Sequence, residues 1–162
     1  MHIDQTEKRW VWISIIMTAI MVGVLTAYAV GSNIHPPSNV ETIDSPRLHL
    51  SEEFAEDNLG VKDNGDGTLT LTMVAARYGF YPSEIEVPVD TPVKIRIASA
   101  DVLHGVHVPF TNFATMVVPG YISEVNTTFP RTGDYSLLCN EYCGLGHDHM
   151  WSRLKVVAAS GS

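Results

Sequence analysis

The feature that most constrains this chain is an uninterrupted apolar stretch near its N-terminus. Residues 10–30 contain no Asp, Glu, Lys or Arg. A helix of this length can cross the roughly 30 Å hydrocarbon core of a bilayer. Trp10 and Trp12 at one end and Tyr28 at the other are typical of aromatic anchors at membrane interfaces. The stretch predicts a transmembrane helix over residues 10–31.

A cleavable signal peptide is the competing interpretation of this stretch. Ala27, Tyr28 and Ala29 have the small-x-small form of a cleavage site. The apolar run is longer than the roughly 7 to 15 residues of a signal-peptide core, however, and we therefore favour an uncleaved anchor.

The charges that flank the stretch predict its orientation. Lys8 and Arg9 directly precede it, and the first Lys or Arg that follows it is Arg47. Because cytoplasmic flanks carry the excess of Lys and Arg, we expect residues 1–9 to be cytoplasmic. The chain would then cross the plasma (inner) membrane once and place its C-terminal part on the periplasmic or extracellular face.

The rest of the 162-residue chain is long enough for one modest domain. Residues 32–51 are rich in Pro, Ser and Asn and show no clear periodicity, which predicts a linker. Residues 52–162 form the predicted domain.

Short stretches of alternating apolar and polar residues fill this domain. The first follows a turn of Asp, Asn and Gly at residues 63–67, and Pro and Gly separate the others. The positions that mark the candidate strands are Leu69, Leu71 and Met73; Ile85 and Val87; Val93, Ile95 and Ile97; Val125, Thr127 and Phe129; and those within residues 135–138 and 154–157. Several short strands separated by turns predict an all-β sandwich or barrel.

The segment at residues 139–150, CNEYCGLGHDHM, carries the strongest chemical signal. Thiols, imidazoles and a thioether together form a soft ligand set that suits copper, whereas zinc rarely binds Met. Gly144 and Gly146 fit a loop that folds tightly around a metal, with positive φ angles. The alternatives are a disulfide between the chain's two cysteines and a structural zinc site. The accompanying His and Met favour copper.

Two thiols exceed what a single blue-copper ion needs. Cys139 and Cys143 could bridge a pair of copper ions, with His147 bound to one ion. His104 is the upstream candidate for the other ion. His107 and His149 lie close to these ligands, and we interpret both as neighbouring or surface residues. His149 is the alternative if another imidazole binds in place of His147.

These residues resemble the CuA domain of cytochrome c oxidase subunit II. The pattern Cys-x-x-x-Cys-x-x-x-His-x-x-Met and the earlier DVLHGVHVP carry the resemblance, which covers nearly the whole chain. It is closest to the short subunit II of ba3-type (B-type) haem-copper oxidases, which has a single membrane helix. The resemblance implies an all-β cupredoxin Greek-key barrel after the N-terminal transmembrane α-helix. It also implies that the CuA ligands are His104, Cys139, the backbone carbonyl of Glu141, Cys143, His147 and Met150.

The resemblance further implies a function. Such a subunit accepts electrons from cytochrome c and passes them to haem in subunit I. There, with CuB, oxygen is reduced to water and protons are pumped. The expected partners are subunit I, a small third subunit, cytochrome c and membrane lipid, with no nucleic acid. A CuA-containing nitric oxide reductase and a non-enzymatic copper-binding module are the alternative functions.

Three residues have more specific expectations from the same resemblance. Tyr78 matches an aromatic segment that forms the surface where cytochrome c docks and electrons enter. Ordinary packing is an equal alternative for this side chain. Glu7 matches a carboxylate at the cytoplasmic mouth of a proton channel, although a solvated acid beside Lys8 and Arg9 is the simpler interpretation. The carboxylate of Glu141 allows a magnesium site shared with subunit I.

The net charge of the chain is −8. An acidic surface can steer a basic cytochrome c, but it also keeps proteins soluble, so charge does not identify the electron donor.

Overall fold

A computed structural model describes residues 4–31 and 41–159 of the chain. The chain divides into two compact units, Met1–Ile34 and His35–Ser162. The first contains the helix, the second contains all the strands, and each is described by itself.

Helix α1 spans Gln5–Gly31, and it is long and apolar enough to cross a membrane. Its 27 residues correspond to about 40 Å of helix. The helix begins five residues before the predicted start at residue 10, because Asp4 caps it: the Asp4 carboxylate accepts the backbone N–H of Thr6 at 3.1 Å. Glu7 therefore lies in the first turn of the helix rather than just outside it.

The second unit contains ten strands within its described residues. They are β1 (Gly60–Asp63), β2 (Leu69–Ala76), β3 (Gly79–Tyr81), β4 (Glu84–Pro88), β5 (Pro92–Ser99), β6 (His104–His107), β7 (Ala114–Val117), β8 (Ile122–Thr128), β9 (Gly133–Leu138) and β10 (Trp151–Val157). Short 3₁₀ turns occupy Ser45–Leu50, Glu56–Asn58 and His147–His149.

The strands form two five-stranded sheets. The first has the order β1-β2-β5-β8, with β3 also paired to β2, and the second has the order β4-β10-β9-β6-β7. Strands β2 and β5 are parallel, as are β4 and β10, and the remaining pairs are antiparallel. The inward side chains of both sheets share one hydrophobic core. This is the all-β architecture that the alternating sequence predicts.

Every candidate strand read from the sequence is present. The strands that the sequence analysis did not predict are short: β1, β3, β6 and β7 have three or four residues each. A strand of this length has at most two inward positions, so the alternation of apolar and polar residues cannot identify it. Strand β6 nevertheless matters most for the site, because it begins at His104.

A second, smaller core covers the outer face of the first sheet. Leu48 and Phe54 pack there against Val74, Ala98 and Ile122, which lie on β2, β5 and β8. This packing explains why β2 is buried on both faces over most of its length.

The expected linker over residues 32–51 therefore differs from the structure in its C-terminal part. Thr42 forms a β-bridge with Tyr121, and Leu48 is buried. Residues 41–51 thus belong to the folded domain, because their few apolar side chains fill a gap on the sheet. Residues 32–40 lie outside the described residues.

Residues 41–59 form a covering segment over the first sheet, and Arg96 on β5 binds this segment by its charge. Its guanidinium binds the carboxylates of Glu41 and Glu53 in the segment and that of Glu124 on β8. The hydrogen bond to Glu53 is the main reason that the pKa of Arg96 lies above its ordinary value. Arg96 is therefore a cation at any physiological pH.

Candidate metal centre

The loop at residues 139–150 connects β9 to β10 and is closed at its base. Leu138 at the end of β9 pairs with Trp151 at the start of β10. One step into the loop, the backbone N–H of Cys139 donates to the carbonyl of Met150 at 3.2 Å. The first and last candidate ligands of the loop are therefore neighbours on a rigid sheet edge.

The two thiols face each other within this loop. The Sγ atoms of Cys139 and Cys143 are 4.0 Å apart, and both cysteines are free. A metal–sulfur bond is about 2.3 Å long, so both sulfurs can reach the same metal ion. The two sulfurs are therefore close enough to bind one metal ion together.

One imidazole stands beside each sulfur. The Nδ1 atom of His104 lies 3.9 Å from the Sγ of Cys139, and the Nδ1 atom of His147 lies 3.6 Å from the Sγ of Cys143. The ligand atoms of His104, Cys139 and Cys143 all lie within 4.8 Å of one another, close enough for one ion.

Two weaker donors complete the group. The Sδ atom of Met150 is 3.5 Å from the Sγ of Cys143, and the carbonyl oxygen of Glu141 is 3.2 Å from the Sγ of Cys139. Each sulfur therefore has one imidazole and one weak donor beside it. The structure brings all six predicted ligands together.

Comparison with known proteins identifies the family. The family model described as "Cytochrome C oxidase subunit II, periplasmic domain" matches residues 53–157. The chain belongs to the cytochrome c oxidase subunit II family. A cytochrome c oxidase subunit 2 of Thermus thermophilus is 33% identical over 153 residues, which cover 93% of this chain and 90% of that protein. Another Thermus thermophilus subunit 2 is 35% identical over 77% of this chain and 93% of its own length.

Solved structures agree with this family. A chain of a haem-copper terminal oxidase dimer matches with a TM-score of 0.75 and 25% identity, over 94% of this chain and 100% of that one. The periplasmic domain of cytochrome oxidase subunit II from Bradyrhizobium japonicum matches with a TM-score of 0.51 and 22% identity, over 55% of this chain and 83% of that one. The predicted cupredoxin fold is confirmed. The chain is subunit II of a terminal haem-copper oxidase, and its helix makes it a single-pass membrane subunit.

Burial controls the protonation of Cys143 in this subunit II. Its side chain is buried together with those of His104 and Met150. Burial raises the pKa of the Cys143 thiol to about 11, and the neighbouring Cys139 adds to the effect. The thiol is therefore protonated at neutral pH in the metal-free protein, and a metal ion must displace its proton in order to bind.

Asp101 contacts a predicted ligand, and the sequence analysis did not identify it. One carboxylate oxygen bonds the Nε2 of His104 at 2.8 Å, and the other accepts the backbone N–H of Arg77 at 2.9 Å. Burial opposes ionisation of the Asp101 carboxyl. Its hydrogen bonds nevertheless hold its pKa below the ordinary value; the largest contribution comes from His104, followed by the backbone N–H groups of Arg77 and Val102. The spacing Asp-x-x-His was the signal in the sequence that could have identified Asp101 as a partner of His104.

Glycine is explained in different ways at the two positions of the loop. Gly144 has a φ of +135°, as the sequence analysis predicted for both glycines. Gly146 has a φ of −96°, which any residue can adopt, so the prediction of a positive φ was wrong there. The space beside Gly146 is instead filled by the ring of Tyr78.

The other predicted residues lie outside the cluster of six. His107 is at the far end of β6, paired with Leu138. His149 is exposed and lies 3.4 Å from the carboxylate of Asp148. Tyr78 is 40% exposed and its ring lies against the ligand loop; its role in docking stays a prediction. Glu7 lies in the helical unit, on the exposed first turn of α1.

Proposed function

We propose that this subunit holds a binuclear copper centre, CuA, through which electrons from cytochrome c enter the oxidase and reach haem in subunit I. Oxygen would be reduced to water there, at haem and CuB, with proton pumping. The single observation that carries the proposal is the pair of free thiols 4.0 Å apart with one imidazole nitrogen beside each. The Thermus relatives support a ba3-type complex.

The donor set favours copper over zinc. Thiolate, imidazole and thioether are soft ligands, and Met150 is buried with its sulfur against that of Cys143. A structural zinc site would be satisfied by four ligands and would not need a thioether. When bound, a binuclear copper centre accepts and releases one electron that both ions share.

The surrounding residues suit electron transfer rather than catalysis on a bound substrate. Met150 and the carbonyl of Glu141 would supply the weak ligands of the bound copper ions, so the donor set would leave no position open for a substrate. His104 is fixed by a strand and by Asp101, and the loop is closed by the pairing of β9 with β10. A rigid ligand frame keeps the geometry nearly constant between oxidation states.

The proposal includes the neighbours of the subunit. Helix α1 would pack against subunit I in the plasma (inner) membrane, in contact with lipid and with its N-terminus in the cytoplasm. Lys8 and Arg9 support this orientation. Tyr78 would contribute to the surface where cytochrome c docks, and a small third subunit would complete the complex.

Two carboxylates have proposed roles that depend on subunit I. The side chain of Glu141, whose carbonyl faces Cys139, would bind a magnesium ion at the subunit interface. Glu7 would lie at the cytoplasmic mouth of the proton channel.

The test is the electron paramagnetic resonance spectrum of the full chain, purified in detergent and loaded with copper. A septet hyperfine pattern is expected, because one unpaired electron is then shared equally by two copper nuclei. A quartet indicates a single copper ion. A spectrum of intact protein that stays silent after oxidation indicates zinc or a disulfide, because two reduced Cu(I) ions are also silent until they are oxidised. Either result would contradict the binuclear assignment.

A further inference from the structure

The turn between β2 and β3 contacts both histidine-bearing parts of the metal centre. Arg77 and Tyr78 form this turn, between Ala76 at the end of β2 and Gly79 at the start of β3. The two residues are adjacent in the sequence, but they make contacts in different directions.

Arg77 is connected to His104 through one side chain. Its backbone N–H and its Nε both donate to one carboxylate oxygen of Asp101, at 2.9 and 3.3 Å. The other oxygen of Asp101 bonds the Nε2 of His104 at 2.8 Å. Because an ionised carboxylate only accepts, Asp101 fixes the turn and the imidazole relative to each other.

Tyr78 is connected to the other imidazole through the ligand loop. Its ring lies against the backbone on both sides of Leu145. A Cβ added to Gly146 would lie 2.6 Å from the Cδ2 and 2.7 Å from the Cγ of Tyr78. A Cβ added to Gly144 would lie 2.7 Å from the Tyr78 hydroxyl. Gly146 directly precedes His147, and Gly144 directly follows Cys143.

The absence of a side chain at Gly146 is explained by this contact alone. Its φ of −96° is open to any L-residue, so backbone strain does not require glycine there. The close ring atoms include Cγ, which cannot move without the whole side chain. The loop is therefore shaped to receive the ring.

Two large apolar side chains of the loop do not anchor it to the sheets. Leu145 is 94% exposed, and Tyr142, which is 71% exposed, packs edge-on against His147 within the loop itself, with the ring centroids 5.8 Å apart. The inner side is held by Cys143 and Met150 in the core. His147 lies between these two buried residues, on the part of the loop that Tyr78 covers.

We propose that the Arg77–Tyr78 turn is a positioning clamp that fixes His104 and His147 relative to each other across the metal centre. The inference rests on the proposed copper function and adds a role for Tyr78 that does not require cytochrome c. If Tyr78 served only for docking, its removal would slow electron delivery and leave the isolated centre unchanged. As a clamp, it acts on the centre when no donor is present.

The experiment compares variants of the full chain in detergent after copper loading, without cytochrome c. Tyr78→Ala is expected to lose the equivalence of the two copper nuclei, which distorts the septet, and to release copper to a chelator about 10- to 100-fold more readily, as is typical when a residue that supports metal ligands is lost. Tyr78→Phe keeps the ring and should match wild type. Tyr81→Ala is the matched control, because Tyr81 is similarly exposed at 50% and lines a cavity on the first sheet.

A second variant keeps the proposal testable if Tyr78→Ala does not fold. Gly146→Ala keeps the tyrosine at position 78, but the added Cβ displaces its ring. This variant should therefore reproduce the spectral change of Tyr78→Ala. In the double variant, Gly146→Ala should add little to Tyr78→Ala, because the steric conflict has been removed. Contacting residues show this non-additivity, whereas independent sites add.

The outcomes separate this inference from the function on which it rests. A wild-type chain without a septet overturns the binuclear centre and the clamp together. The clamp alone is overturned if the wild-type chain shows a septet and both Tyr78→Ala and Gly146→Ala keep the same spectrum and the same copper retention. The copper function then stays in place. Additive effects in the double variant also overturn the clamp.

Discussion

Asp101 bonds the Nε2 of His104 at 2.8 Å, while the Nδ1 of the same imidazole faces the Sγ of Cys139 at 3.9 Å. The hydrogen bonds of Asp101 lower its pKa, so the carboxyl is ionised at neutral pH and can only accept. The Nε2 of His104 must therefore carry the hydrogen of this bond, which leaves Nδ1 as the nitrogen that can bind a metal. The tautomer required for coordination is set before any metal arrives.

Removing this carboxylate should weaken metal binding. We expect Asp101→Ala to lower copper affinity by about 10- to 100-fold, because His104 loses the partner that fixes its tautomer and its ring orientation. Competition with a chelator measures the change. Asp148→Ala is the control, since Asp148 is exposed and bonds only the exposed His149 among the described contacts. Equal affinity in the two variants would exclude the proposed role of Asp101.

Replacing either thiol should abolish the shared-electron spectrum. In Cys139→Ser and Cys143→Ser the bridging pair is lost, and we expect the septet to disappear. His107→Ala should retain it, because His107 pairs with Leu138 and lies outside the ligand cluster. The measurement is the paramagnetic resonance spectrum of each copper-loaded variant. Loss of the septet in His107→Ala would show that the ligand assignment is wrong.

The metal-free protein should lose stability in alkaline solution. The pKa of Cys143 is about 11 in the folded protein against an ordinary value of 9.0. Because folding raises this pKa, the protonated thiol contributes stability in full below about pH 9, and the contribution disappears as the pH rises through 11. We expect the melting temperature of the metal-free chain to fall over this range. Cys143→Ser should show a smaller fall, and an equal fall would contradict the assignment to this thiol.

The second hydrophobic core should contribute strongly to folding. Phe54 is fully buried against the outer face of the first sheet, and truncating such a ring costs about 3–5 kcal/mol. We therefore expect Phe54→Ala to lower the free energy of unfolding by this amount in a denaturant titration. Leu50→Ala, at a position that is 70% exposed, should change it by less than about 0.5 kcal/mol. Similar values for the two variants would show that residues 41–59 do not cover the sheet in solution.

The sequence predicted those parts of the molecule whose signals are local. The transmembrane helix follows from one apolar run, and β2, β5, β8 and β10 follow from alternation over several residues. The ligands of the loop were recognisable because they lie together within residues 139–150. His104 was a candidate by residue type alone, and the family resemblance was needed to assign it as a ligand, because the short strand β6 that carries it has no periodic signal.

The remaining features depend on contacts between distant residues. The bond from Arg77 to Asp101 joins positions 24 residues apart. Leu48 and Phe54 were placed in or beside a linker because nothing nearby shows that they fill a gap on the first sheet. Gly146 looked like a turn glycine, and only the folded chain shows the tyrosine ring beside it. Alternation and spacing describe neighbours along the chain, so they could not predict these contacts.

The covering segment also decides where the soluble part of this protein can be separated from its anchor. A fragment that began at residue 52, the boundary expected from the sequence, would lack Leu48 and the β-bridge at Thr42. Val74, Ala98 and Ile122 would then lose part of their cover, and exposed apolar patches of this kind promote aggregation. A fragment that begins at or before residue 41 keeps the whole cover and should remain monomeric.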